Sequence, residues 1–220
     1  MRTVVFDLDG TLADTSADLL AAANACFDAL GHGPLLGPAD ALTAFHGGRA
    51  MLRLGFSRLD RPWTEGDVSR EYPRLLATYA DVLDRETRLY PGAVAAVEVL
   101  RAQGYATAIC TNTPEGLAVE LVRRLGITHL FGALVGADTF PVRKPDPLPY
   151  LASVERAGGV VARSILIGDT QTDRDTARAA GVPIVLVTFG PEGDSITRLN
   201  PDALLRHYDD LPTLAQSLIS

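Results

Sequence analysis

Cysteine is nearly absent from this sequence: Cys26 and Cys110 are its only thiols in 220 residues. Two cysteines cannot staple a domain of this size. Both sit in apolar stretches, so they are expected as reduced, buried side chains of a cytoplasmic protein. Long hydrophobic runs are missing as well, and none approaches the roughly 20 residues that cross a bilayer. The N-terminus carries no signal-peptide pattern. Positive charge is in deficit. A formal net charge of −7 argues against a broad nucleic-acid partner, whose grip rests on clustered Lys and Arg. No internal repeat or low-complexity tract interrupts the chain. What remains is ordinary for a globular protein, with 47% hydrophobic and 21% charged residues, enough for one large domain or a core with a smaller insert.

The most informative stretch is Met1–Leu12. Thr3–Phe6 has the β-branched and aromatic composition of a strand buried on both faces, and it breaks into Asp7-Leu8-Asp9-Gly10-Thr11-Leu12. If the extended geometry persists, Asp7 and Asp9 point the same way. Adjacent carboxylates are costly unless a cation or a shared proton offsets their repulsion. The pair therefore predicts a cation-dependent site, although Asp-x-Asp-Gly by itself also reads as a polar turn.

From Asp14 to about Arg88 the pattern is helical throughout: Ala17–Leu30, Ala39–Phe45, Ala50–Leu54, and Thr64–Leu83 with Pro73 kinking or dividing it. From Leu89 the chain alternates. Helices are expected over Ala93–Gln103, Pro114–Leu125, Pro147–Ala157, Thr172–Ala180 and about Leu211–Ile219. Strands fall between them at Tyr105–Cys110, Ala133–Gly136, Ser164–Ile167 and Val182–Thr188. This alternation predicts an α/β fold, a doubly wound parallel sheet with helices on both faces. Residues 1–13 and 89–220 would form that core, and residues 14–88 an all-helical insertion.

In such a sheet the site lies at the carboxyl ends of the strands, and polar motifs stand there. Thr111-Asn112-Thr113, ahead of Pro114, offers a hydroxyl and backbone N–H groups to phosphate oxygens, or an ordinary helix cap. In Arg143-Lys144-Pro145-Asp146-Pro147 the prolines hold the backbone extended and aim Lys144 inward, a compact charge against phosphate and carboxylates. Arg143 is left on the surface. Gly168-Asp169-Thr170-Gln171-Thr172-Asp173 places Asp169 at a strand end and Asp173 in a helix first turn, with Asp175 on the helix surface. Hard oxygen ligands around a small cation that also meets phosphate point to Mg²⁺; an acidic turn is the plainer reading.

Asp7-Leu8-Asp9-Gly10-Thr11, Thr111, Lys144-Pro145 and Gly168-Asp169…Asp173, in this order, resemble the four motifs of the haloacid dehalogenase-like (HAD) hydrolases. The resemblance spans essentially the whole chain. The helical insertion, Asp14-Thr15-Ser16-Ala17-Asp18-Leu19 and Asp138-Thr139-Phe140 resemble the superfamily's phosphoglycolate phosphatase-like branch, in which such an insertion is a cap. The resemblance implies Asp7 as a nucleophile that becomes an aspartyl-phosphate, and Asp9 as acid and then base. It implies Mg²⁺ held by the Asp7 carboxylate, the Asp9 backbone carbonyl and Asp169, with Asp173 in or near the outer shell. Thr111, Asn112 and Lys144 would meet the phosphoryl group of a small phosphorylated metabolite such as 2-phosphoglycolate.

Within the insertion, Arg49 beside two glycines is a candidate for binding a substrate carboxylate, or is simply a solvated arginine. His46 and Trp63 read as packing or capping residues. Residues 14–88 contain no lysine, which removes a phosphonatase-type Schiff base, and a dehalogenase has no need of Asp9. The nearest alternative is a sugar-phosphate mutase of the β-phosphoglucomutase type, whose specificity loop His46-Gly47-Gly48-Arg49 resembles; Thr11-Leu12 favours a phosphatase. A phospho-acceptor signalling module is the alternative from another class, but such modules are much smaller and have no use for the insertion.

Overall fold

In the computed structural model, which describes residues 1–219, Thr3–Phe6 (β1) is a central strand of a six-stranded sheet. The other strands are Ala106–Cys110 (β2), Ala133–Val135 (β3), Ser164–Gly168 (β4), Ile184–Val187 (β5) and Ala203–Leu205 (β6), in spatial order β3-β2-β1-β4-β5-β6. All five neighbouring pairs are parallel. Thr3 stands opposite Ala106 on one side and Ser164 on the other, and Phe6 opposite Ile109 and Ile167. Every residue of β1, β2, β4 and β5 is buried, which is why these strands read as continuous apolar runs and not as alternating ones.

Successive side chains go to opposite faces. Val5, Ala108, Leu166 and Ile184 pack with Tyr150 and Val154 of the helix Leu148–Arg156 (α7) and Ala177 of Gln171–Ala180 (α8). On the other face, Arg101 of the helix Ala93–Ala102 (α5) reaches over Thr107 and donates to the Leu130 carbonyl at 3.0 Å. The helix Leu211–Leu218 (α9) packs beside α5. The sheet is therefore doubly wound, as its alternation required.

Two strands of the sheet, β6 and β3, differ from expectation. β6 has no β-branched residue and only three positions, so it carried no strand signal. Pairing with Val185–Val187 places it, aided by Asp202, whose Oδ2 accepts the Ile184 N–H at 2.9 Å. β3 ends at Val135, and at Gly136 the chain passes so near Glu115 that a Cβ would lie 2.4 Å from its Cα.

The chain divides into two compact units, residues 1–14 with 89–220 and residues 15–88. The second contains the helices Ser16–Ala29 (α1), Ala41–Phe45 (α2), Gly48–Ser57 (α3) and Glu65–Val82 (α4). α3 is longer than its apolar pattern suggested, and within it Gly55 gives room to the Phe27 ring; a Cβ would meet its Cζ at 2.1 Å. Phe27 meets Phe56 edge-on, and Phe56 stacks on Trp63. α4 runs unbroken through Pro73, since its buried face (Val68, Leu75, Tyr79, Val82) outweighs one missing backbone donor. Asp18 closes the unit: its carboxylate accepts the N–H groups of Glu86 and Thr87 and the Thr87 hydroxyl, at 2.8–3.1 Å. His46 is exposed at the end of α2. Arg49 lies over the Tyr72 ring at 4.5 Å and donates to the Ser69 hydroxyl. Among the described residues no helix is long and apolar enough to cross a membrane.

Candidate active site

The four strands that precede the polar motifs, β3, β2, β1 and β4, are consecutive neighbours in the sheet. Strand pairing runs one residue past their ends. The Asp7 N–H donates to the Ile167 carbonyl and the Thr111 N–H to the Val135 carbonyl, both at 2.9 Å. The backbones of Asp7 and Thr111 are thus fixed by the same ladder that fixes the core. Beyond Asp7 the extended geometry ends. The Leu12 and Ala13 N–H groups turn back to the Leu8 carbonyl, and Gly10 takes a φ of 80°, a left-handed conformation that a residue with a Cβ resists.

That turn gives the two leading aspartates different partners. Asp7 Oδ1 lies 3.0 Å from Lys144 Nζ. Asp9 Oδ2 instead accepts the Thr113 hydroxyl at 2.6 Å and, at a longer 3.4 Å, the Thr111 hydroxyl. Lys144 is the only lysine in the sequence and is 3% exposed. Its ammonium also donates to Asp173 Oδ1 at 2.7 Å, and the Lys144–Pro145 peptide is cis. Arg143 is exposed. Asn112 donates its amide to the Lys144 carbonyl at 3.0 Å and so braces the turn that carries the lysine.

Asp169 follows β4 and accepts the Thr11 hydroxyl at 3.1 Å. The Thr11 carbonyl accepts the hydroxyl of fully buried Tyr208 at 2.7 Å. Asp173 is locked from both ends. Its Oδ2 accepts the Thr170 hydroxyl and the Thr170 and Asp169 N–H groups, forming a capping box at the start of α8. Asp175 is half-buried and pairs with Arg174.

At the start of the helix Glu115–Arg124 (α6) two of the N–H groups near the expected phosphate site already have partners: the Thr113 N–H is bonded to the Thr111 hydroxyl and the Glu115 N–H to Asp138 at 2.7 Å. Pro114 has no N–H. Asp138 thus caps α6, a role its place in the sequence did not reveal. Thr11, Thr113, Thr170 and Tyr208 are further contributors that sequence reasoning missed. The three threonines lie inside the polar motifs, but Tyr208, far along the chain, carried no signal.

Ligand oxygens of Asp7, Asp169 and Asp173 lie within 4.8 Å of one another, all three side chains being buried. Burial, with Asp173 and Asp9 close by, pushes the Asp7 carboxyl up to about 7 against the pull of Lys144. Burial, then Asp7 and Asp173, likewise hold Asp169 well above the carboxylate range. For Lys144 the two acids outweigh burial, so its ammonium is held charged. One cation against three buried carboxylates leaves a surplus of negative charge, and a donor set made wholly of oxygen suits a small hard cation. Cys110, beneath the site, is pushed up to about 11 by burial and is a neutral packing group.

Residues 4–187 match the family model for haloacid dehalogenase-like hydrolases. A phosphoglycolate phosphatase of Mesorhizobium japonicum is 38% identical over 98% of this chain and 96% of its own. One of Agrobacterium fabrum is 39% identical over 98% and 93%. A solved structure from Haemophilus somnus 129PT, described as a predicted phosphoglycolate phosphatase, superposes with a TM-score of 0.82 at 26% identity, covering 98% of both chains. A family model that fits most of the chain, and relatives of this identity along nearly its full length, leave one assignment: the chain belongs to the haloacid dehalogenase-like hydrolases, in their phosphoglycolate phosphatase-like branch.

Proposed function

We propose that this protein is a phosphatase that hydrolyses a small phosphomonoester, of the 2-phosphoglycolate kind, through an aspartyl-phosphate on Asp7. The observation that carries the reading is the placement of the chain's only lysine, buried between Asp7 and Asp173. A lysine on a surface loop would gain nothing from that position. Against a phosphate dianion it supplies the charge that Asp7 lacks. The relatives named phosphoglycolate phosphatase support the substrate class.

Asp7 attacks phosphorus while the bond to the leaving alcohol breaks, and Asp9 gives its proton to the departing oxygen. Asp9 then takes a proton from the water that hydrolyses the acyl phosphate. Lys144 and Thr111 hold the phosphoryl oxygens, and Asn112 acts by fixing the lysine's backbone. Bound Mg²⁺ would supply positive charge against the same oxygens, with the Asp7 and Asp169 carboxylates and the Asp9 carbonyl as its donors. Asp173, whose oxygens already serve Lys144 and Thr170, orients that shell without entering it. We assign residues 15–88 the part of a helical cap. Within it Arg49, steadied by Tyr72 and Ser69, suits a substrate carboxylate. Two buried free thiols support a cytoplasmic setting.

The test is phosphate release from 2-phosphoglycolate and from β-glucose 1-phosphate with Mg²⁺, by the parent and by Asp7→Asn. Many phosphates released per chain from 2-phosphoglycolate, abolished in Asp7→Asn, is the expected result. Isomerised sugar phosphate in place of free phosphate, or an active Asp7→Asn protein, overturns the proposal.

A further inference from the structure

We infer that Thr113 is a positioning residue for the proton-transferring Asp9, and that it leaves Thr111 available to the phosphoryl group. The inference rests on the reading of Asp9 given above. Both hydroxyls point to one atom, Asp9 Oδ2, but unequally: Thr113 donates at 2.6 Å and Thr111 at 3.4 Å. A hydroxyl has a single proton to give. Thr113 has spent its proton on a short bond to a carboxylate, the stronger kind, while the long Thr111 contact lies near the limit at which a hydrogen bond ceases to count.

The surroundings of the two threonines deepen the difference. The Thr111 oxygen accepts the Thr113 N–H at 3.1 Å. This occupies a lone pair of Thr111 and leaves its proton to turn toward an incoming phosphate oxygen. Thr113 is pinned from the opposite side, its carbonyl accepting the Ala137 N–H at 3.0 Å. The backbone that presents the Thr113 hydroxyl is thus tied to the segment following β3. Asp9 lies beyond the strand ladder, in the turn that begins at Leu8, where side-chain hydrogen bonds help to fix its carboxyl.

Leaving-group dependence provides a test that a purely structural role would not answer. An alkoxide departs only with a proton, whereas p-nitrophenolate departs without one. Specificity constants, kcat/KM, for 2-phosphoglycolate and p-nitrophenyl phosphate would be measured for the parent, Thr113→Val, Thr113→Ser and Asp9→Asn. Thr113→Val is expected to lose about tenfold on the alkyl substrate, the worth of one charge-assisted hydrogen bond, and no more than about twofold on the aryl one. Thr113→Ser keeps the hydroxyl and should restore the ratio. If Thr113→Val lowers both substrates alike, or neither, while Asp9→Asn is impaired selectively on the alkyl ester, Thr113 has no positioning role. If Asp9→Asn shows no such selectivity, the role given to Asp9 has failed and this inference falls with it.

Discussion

Replacing Lys144 by methionine keeps the volume of the side chain and removes the only cation among buried Asp7, Asp169 and Asp173. Taking one partner from a buried ion pair costs about 3–5 kcal/mol, because the remaining charge is left without compensation. Here one ammonium serves two carboxylates, so the upper part of that range applies when both are ionised. The size depends on pH. Lys144 is held charged when folded, so in the parent the ammonium itself does not titrate between pH 6 and 8. Asp7 already titrates near 7 when folded, against an ordinary 3.8, and without Lys144 it rises further. The folded variant then binds a proton that the unfolded chain has released, and its stability must fall as pH rises through that window. Urea unfolding in chelator at pH 6 and pH 8 measures this. About 4 kcal/mol should be lost at pH 8, near 10 °C in melting temperature for a chain of this length, with a clearly smaller loss at pH 6. A variant as stable as the parent at pH 8, or one hurt more at pH 6, would refute the reasoning.

Gly168→Ala would build a Cβ 2.4 Å from Cβ and Cγ of Asp173, a residue that is fully buried and cannot yield. It should cost about 1–3 kcal/mol and most of the turnover, read by urea unfolding and phosphate release together. Asp18→Ala strips the acceptor from the Glu86 and Thr87 N–H groups. It should cost about 3 kcal/mol and speed hydrogen exchange at those two amides. Added Mg²⁺ should stabilise the folded chain, by about 2.7 kcal/mol at a hundredfold excess over Kd. It should also expel protons near pH 7 because Asp7 and Asp169 are both shifted upward. Calorimetry in two buffers of different ionisation heat counts them, and a count of zero contradicts the cluster's assignment.

Much of this architecture is legible in the residues themselves. β1, β2, β4 and β5 are two-faced apolar runs, the first three of them followed by polar motifs, and the sheet order brings those motifs together because Asp7 and Thr111 continue the ladder. What escaped had local causes. β6 lacks β-branched residues and exists by pairing. Pro73 looked like a break in α4, yet the packed face of that helix prevails. Asp7 and Asp9 looked like partners by their spacing of two. The turn at Leu8–Ala13 sends one to Lys144 and the other to Thr113, and no periodicity reports a turn's outcome. Tyr208 reaches Thr11 from 197 residues away, a distance across which sequence pattern is silent.

Every other permanently cationic side chain in the molecule is an arginine. Isotopically labelled lysine would therefore place a single reporter in a spectrum, already at the centre of the chemistry. Amine-directed reagents likewise have one side chain to find, and it is shielded by its paired acids. The extent of its acylation becomes a direct gauge of how often that centre opens to solvent, with no engineered probe needed.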